Sequence, residues 1–340
     1  MNAFPIMQTG DLHLEDKSLD DQLPVIDWII ETAKKANIKT LIVAGDLAGT
    51  PCPHMASPSE RNALLRLCGV VDNVFILRGN HDVMQDWQFL DHVDGCTWVS
   101  EPEYVAFDDC DLFMMPYPDG SRAAAAGIDI NHAAETVLAG FGVTARADTP
   151  SVLSAHINVN GSISSSGQPL IGQDYEIRHS SLMAAGIDFG MFNHIHKSQE
   201  INDSPEYVHV GSPWATSFGE QDDKKRVVIL DGLAISTVPT PCIPRLTVDL
   251  SWSDGWGELP DVAGARVKCR IAYTEGEDVS IPKLDGALSV KYEHIVTRHD
   301  RRRSPEIVKT LTPVERFRLY EEENGREVSI DHEEYLVRLT

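Results

Sequence analysis

Short apolar runs rich in β-branched residues alternate with amphipathic stretches over the first 240 residues of this 340-residue chain. Such alternation predicts a layered α/β architecture. The strand-like runs are Phe4 to Gln8, Thr40 to Ala44, Asn73 to Leu77, Leu112 to Met115, Val152 to Ala155, Phe189 to Phe192, Tyr207 to Val210 and Val227 to Leu230. Between the first two, Leu23, Ile26, Ile29, Ile30 and Ala33 recur at helical spacing, with Asp27, Glu31 and Lys34 on the opposite face. That spacing predicts a helix with one apolar face. A second helix is expected to start at Ser57-Pro58-Ser59-Glu60, where Ser57 can cap and Pro58 suits the first turn.

After Pro239 and Pro241 the pattern changes to longer alternating strands, RLTVDLSW, ARVKCRIAY and ALSVKYEHIV, which read as a small β-rich second domain. Thr312 to Asn324 reads as a helix with Val314, Phe317, Leu319 and Tyr320 as its apolar positions and Gly325 as a stop. The expected divisions are 1–240, 241–311 and 312–340.

Composition alters this picture little. No apolar run approaches the roughly 20 residues of a membrane span, and no signal-peptide pattern opens the chain, so a cytoplasmic protein away from membranes is expected. Six cysteines without a CxxC pair fit reduced thiols better than a disulfide framework or a zinc finger. Charge matters more. The net charge is -23, and residues 1–240 carry 14 Lys/Arg against 33 Asp/Glu. Such a surface repels phosphodiester backbones. Bound divalent cations would offset part of that locally, and a basic partner the rest; solubility alone also accounts for the charge.

Candidate chemistry lies just beyond the C-terminal ends of the predicted strands. Asp11 and His13 follow the first strand as DLH, where an extended segment would point both side chains to one side. Asp46 follows TLIVAG, Asn80 and His81 follow NVFILRG, His156 ends SVLSA, and His194 and His196 follow FGMFN. In open α/β folds the crevice outside these ends is where sites form. Mixed carboxylate, amide and imidazole donors suit Mn, Fe, Zn or Co better than Mg or Ca. A carboxylate such as Asp46 can bridge two cations about 4 Å apart, the arrangement that clamps the attacking and leaving oxygens of an in-line phosphoryl displacement. Gly45 and Gly79 remove Cβ atoms where the chain turns into the site. Each motif alone is weak. The ordered set DLH, GD, GNHD, H and HIH, each behind an apolar strand, makes coincidence improbable.

This series resembles the calcineurin-like metallophosphoesterases. Within them, FNHIHKSQEI, EYVHVGSPWATSFGEQDDKKRVVIL and the tail KYEHIVTRHDRRRSPEI resemble the SbcD-type nuclease subunit that works with an SbcC-type ABC ATPase in DNA break processing. The resemblance implies a four-layer sandwich of two mixed β-sheets flanked by helices, with a small β-rich capping domain. It implies two divalent metal ions, with Mn²⁺ expected, and Mn-dependent exonuclease or endonuclease cleavage of DNA in repair or recombination. One metal would be held by Asp11, His13, Asp46 and His196, the other by Asp46, Asn80, His156 and His194. His81 would act at the scissile phosphate, and Asp82 would orient its ring. His209 and Trp214 beside GSP, and the Arg301-Arg302-Arg303 run, are candidate substrate contacts, with a structural strand position for His209 and a solvated charge run for the arginines as the equal alternatives. Partners expected are DNA and the ATPase; whether a homodimer forms through the first helices is left open by the sequence. Three departures stand out: Asn193 replaces the Gly usual before HxH, Glu15 replaces a usual Gly after DLHL, and Ala48-Gly49 stands where a second active-site His is usually near, with His54 read either as its substitute or as a solvated loop residue. The rival readings are a small-molecule phosphodiesterase or phosphatase of the same superfamily, which the acidic charge favours, and a weakly active scaffold subunit.

Overall fold

The computed structural model describes residues 1–49, 56–82, 84–125, 127, 129–164, 175–252, 255–297, 312 and 314–318. In chain order its strands are β1 (Ile6–Thr9), β2 (Thr40–Ala44), β3 (Asn73–Leu77), β4 (Thr97–Val99), β5 (Glu103–Ala106), β6 (Asp111–Met115), β7 (Ser151–His156), β8 (Asn158–Val159), β9 (Glu176–Ile177), β10 (Phe189–Asn193), β11 (Gln199–Ile201), β12 (Ser204–His209), β13 (Arg226–Asp231), β14 (Ala234–Pro239), β15 (Arg245–Ser251), β16 (Arg266–Thr274) and β17 (Ser289–Thr297). The α-helices are α1 (Leu19–Lys35), α2 (Pro58–Leu65), α3 (Met84–Trp87), α4 (Gly120–Ala125), α5 (Ile130–Thr144) and α6 (His179–Ala184).

Two six-stranded sheets, β14-β13-β1-β2-β3-β4 and β11-β12-β10-β7-β6-β5, form the body. In the first, β1 to β4 are parallel and β13 and β14 add an antiparallel edge. In the second, β6, β7, β10 and β12 are parallel, with β5 and β11 antiparallel at the edges. Both sheets are therefore mixed.

Strand alternation explains the layering. Met7, Leu41, Val43, Val74 and Ile76 point toward α1 and α2 and pack with Val25, Ile26, Ile29 and Leu64. Their neighbours Ile6, Ile42, Ala44, Phe75 and Leu77 point the other way, onto Leu112, Met114, Val152, Met191 and Val208 of the second sheet. The opposite face of that sheet, with Phe113, Leu153, Ala155 and Phe192, packs on Leu138, Phe141 and Leu182 of α5 and α6. Helices, sheet, sheet and helices give the four layers that the family resemblance implies. Burying each of the Val, Leu, Ile, Phe and Met side chains contributes roughly 1.5–3 kcal/mol, so a strand slipped by one residue would exchange whole layers.

Chain contacts divide the molecule into two units. The first comprises Met1–Val248, Leu259–Cys269 and Lys283–Lys291, and the second Asp249–Glu258, Arg270–Pro282 and Tyr292–Thr340. Three strands, β15-β16-β17, form a separate small sheet. In the first unit Arg266 N donates to Pro244 O and Leu288 N to Ala265 O; in the second, Trp252 N donates to Ala272 O and Glu275 N to Thr297 O. Partners advance in the same direction along both strands of each pair, so the sheet is parallel.

The predicted strands are present with ends no more than three residues from those expected. The Ser57 signal forms a capping box, Ser57 Oγ accepting from Glu60 N while Glu60 accepts from Ser57 N. Helix α5 carries no sequence expectation, because its buried face is only Ala134, Leu138 and Phe141 within an Ala- and Gly-rich stretch of weak contrast. Of the helix expected at Thr312 to Asn324, residues 314–318 are helical and Thr312 bonds Glu315 as a cap; Leu319 and Tyr320 lie outside the described residues. Among the described residues no helix is long and apolar enough to cross a membrane.

Candidate metal centre

Five chain segments bring the expected donors to one place, at the C-terminal ends of parallel strands from both sheets. The segment after β1 runs beside the one after β2: Asp11 N donates to Gly45 O, His13 N to Asp46 O and Leu14 N to Leu47 O, each at 2.9–3.0 Å. The expectation that Asp11 and His13 share a face through strand alternation is corrected. Both lie in the left-handed region, at φ 49° and 42°, as do Asp46 at 52° and His194 at 100°. Left-handed backbone is costly for residues with a Cβ and persists where surrounding structure enforces it. Here the turns fold each donor back over its strand end.

Close approach explains the two glycines. Gly45 has φ +79°, and a Cβ there would lie 2.2 Å from His156 Nδ1; a Cβ on Gly79 would lie 2.2 Å from Asp46 N and Oδ1.

Two groups of donors result. Asp11, His13 and His196 form one, and Asp46, His156 and His194 the other, each within 4.8 Å. Asp46 faces both: Oδ2 lies 3.5 Å from His13 Nε2, and Oδ1 lies 3.4 Å from His156 Nε2. Asn80 joins the second group, its Oδ1 lying 2.9 Å from His194 Nδ1 and 3.1 Å from His156 Nε2. The donor set fits cations. His13 Nε2 and His196 Nε2 approach to 2.9 Å. His156 Nδ1 sits 2.8 Å from Ala44 O, which fixes its proton there and leaves the Nε2 lone pair facing the Asn80 oxygen. With these nitrogens in the lone-pair-inward tautomers, a cation among them removes their mutual repulsion. The reversed amide would instead donate to these groups; the oxygen-inward orientation is the one that serves a metal.

Burial and charge act together. Burial opposes ionisation of Asp46, but His156, His13 and His81 hold its carboxyl well below the usual range. Burial pushes His13 down to about 4 despite Asp46. Burial and the Asp46 charge push Asp82 up to about 7.

Supporting contacts add residues that sequence reasoning missed. Glu220 is buried and its Oε1 lies 3.2 Å from His196 Nδ1, while its Oε2 accepts from Lys225 Nζ at 2.6 Å. Lys225 Nζ also donates to Ser212 Oγ at 2.8 Å. A carboxylate behind a ligating imidazole fixes its tautomer and ring orientation. The only sequence signal was an acid and a lysine inside FGEQDDKK. Asn193, read as a replacement for Gly, ties the first donor group to the second sheet. Its Nδ2 donates to Asp11 Oδ2 at 2.9 Å, and its Oδ1 accepts from Gln8 Nε2 at 3.0 Å.

His81 sits beside the shared carboxylate, its N donating to Asp46 Oδ1 at 2.9 Å and its Nε2 4.0 Å from Asp46 Oδ2. Its ring meets His13 edge-on at 5.0 Å. The expectation that Asp82 orients this ring is corrected. Asp82 accepts from Leu47 N at 2.9 Å and Gly79 N at 2.7 Å, so it braces the two loops, and among the described residues His81 Nδ1 has no hydrogen-bond partner.

The substrate candidates separate. Trp214 lines a cavity of about 340 Å³ with His13, His81 and His196, but it is 5% exposed and offers no open face to a base. His209 is fully buried on β12, and burial and the neighbouring His194 and His156 push it down to about 3, so it is neutral core. Its candidacy is corrected, since the alternation of β12 turns it inward. Arg301, Arg302, Arg303 and His54 lie outside the described residues.

Comparison with known proteins adds a family description. Residues 4–133 match the model of the calcineurin-like phosphoesterases. Similar solved structures include GAP50, the anchor in the inner membrane complex of Plasmodium, at 13% identity over 69% of this chain and 84% of that one, TM-score 0.43. Purple acid phosphatase PPD1 from yellow lupin seeds is 14% identical over 69% of this chain and 51% of that one, TM-score 0.42. YfcE, a phosphoesterase from E. coli, is 14% identical over 70% and 99%, TM-score 0.34. At these identities and scores the similarities say nothing about substrate.

Proposed function

We propose that this chain, whose residues 4–133 match the calcineurin-like phosphoesterases, is a metal-dependent phosphoesterase that cleaves phosphodiesters. The observation that carries the reading is Asp46, one carboxylate facing two separate donor groups. Asp11, His13, Asp46 and His196 would hold one divalent cation, and Asp46, Asn80, His156 and His194 the other. When bound, such a pair polarises the phosphoryl oxygens and offsets the charge that develops on the attacking and leaving oxygens. His81, half-buried beside Asp46, is the residue placed to donate a proton or a hydrogen bond to the leaving oxygen. Manganese is the metal that the family resemblance implies, and the mixed donor set suits it as it suits Fe, Zn or Co.

Two substrate readings follow. DNA cleavage with an SbcC-type ATPase is supported by the HIHKSQ and GSPWATSF motifs and the tail; the phosphoesterase part is then 1–240, with a cap over 241–311 and a partner-binding tail over 312–340. A small-molecule phosphodiesterase or phosphatase is supported by the net charge of -23, which opposes DNA affinity in the isolated chain, and by a family match made at the level of phosphoesterases as a whole. The deciding experiment offers the Mn²⁺-loaded chain labelled duplex and single-stranded DNA ends beside bis(p-nitrophenyl) phosphate. Cleavage of both supports the nuclease. Cleavage of the chromogenic ester alone assigns a small-molecule substrate, and no cleavage of either rejects the phosphoesterase.

A further inference from the structure

Among the described residues, the wall of the cavity beside the first donor group carries one uncommitted cation. Its carboxylates already have partners: Glu15 pairs with Lys17 at 3.0 Å, and Asp21 makes a two-point contact with Arg266. Arg245 differs. Its Nε donates to Ala215 O at 2.8 Å and its guanidinium lies over the Phe218 ring at 5.7 Å. Among the described residues no carboxylate forms an ion pair with it, and its two terminal nitrogens meet no acceptor. The carbonyl and the ring hold the fork in place, so little side-chain freedom remains to be lost on binding an anion. In a chain of net charge -23, an oriented arginine of this kind in the cavity shared with His13, His81 and His196 calls for an anionic ligand.

We propose that Arg245 forms a second phosphate subsite, which takes a non-scissile phosphoryl group of the same substrate while the scissile group lies at His81. This rests on the phosphoesterase reading and deepens it: the substrate carries at least two phosphoryl groups, as a nucleotide strand or as a multiply phosphorylated nucleotide. Planar guanidinium forks suit phosphate because two parallel N–H donors match two oxygens.

The test compares thymidine 5′-monophosphate, thymidine 3′-monophosphate and thymidine 3′,5′-bisphosphate as inhibitors of bis(p-nitrophenyl) phosphate hydrolysis by the full chain. The bisphosphate should inhibit roughly 10-fold more strongly than either monophosphate, as a charge-assisted contact supplies. Arg245→Gln should collapse that ratio toward one, and Arg245→Lys, which keeps the charge without the fork, should retain part of it. A ratio preserved in Arg245→Gln, or absent from the unmodified protein, overturns the subsite. To separate the two substrate sources, TpT is compared with pTpT and TpTp: an Arg245-dependent fall in KM on adding a terminal phosphate identifies a strand, and an effect confined to the bisphosphate identifies a small nucleotide. If the unmodified chain hydrolyses nothing, the phosphoesterase reading fails by itself. Calorimetric titration with the bisphosphate then decides the subsite, since unchanged affinity in Arg245→Gln rejects it.

Discussion

His81 borders the shared carboxylate Asp46 while Glu220 sits behind the His196 ring, so their variants should fail differently. His81 donates no ligand atom to either donor group. His81→Gln should keep two equivalents of metal by elemental analysis while kcat falls roughly 100-fold or more, the range of a general acid or charge-stabilising group. Loss of metal would make His81 a ligand, and normal turnover would remove it from the reaction. Glu220 touches His196 and Lys225, so its effect should appear in metal binding first. Glu220→Gln is expected to weaken calorimetric Mn²⁺ affinity by about 10- to 100-fold, with saturating Mn²⁺ restoring most of the turnover. A variant that unfolds without any change in metal affinity in its folded fraction would reduce Glu220 to a structural role. Of these residues His81 was legible in GNHD, whereas Glu220 was not, because nothing in FGEQDDKK says which acid turns inward.

At the level of elements, the site depends on where strands stop and how the chain leaves them. Gly45 joins β2 to Asp46 at φ +79° with its Cα against the His156 ring. Gly45→Ala therefore combines unfavourable backbone with a clash against a fully buried neighbour. It should cost roughly 1–3 kcal/mol from the backbone alone and displace His156. Thermal denaturation and metal analysis together check this; a variant of unchanged Tm with two bound metals would show that the turn adapts. Strand and helix positions were readable from apolar runs and from the Ser57 cap. The left-handed turns were not, because φ at Asp11, His13 and Asp46 is imposed by hydrogen bonds between segments about 35 residues apart.

For the whole molecule, donors drawn from both sheets would make metal binding a stabiliser of the sandwich. A cation bound only by the folded state at 100 times its dissociation constant adds about 2.7 kcal/mol. Tm should therefore rise with Mn²⁺ and fall back on chelation, and Asp46→Ala, which removes the shared carboxylate, should abolish the rise and the activity. An Mn²⁺-independent Tm, or a rise retained in Asp46→Ala, would reject the shared site. The chain alone determined the layered α/β class, the strand order of donors along the sequence and the donor chemistry, because apolar periodicity and residue type are local properties. Only the tertiary structure decided that Asp46 stands between two donor groups, that Asp82 braces loops and does not hold the His81 ring, that Glu220 backs His196 and that His209 is core. Those outcomes depend on which side chain points where when two sheets meet, and packing between distant segments sets that direction.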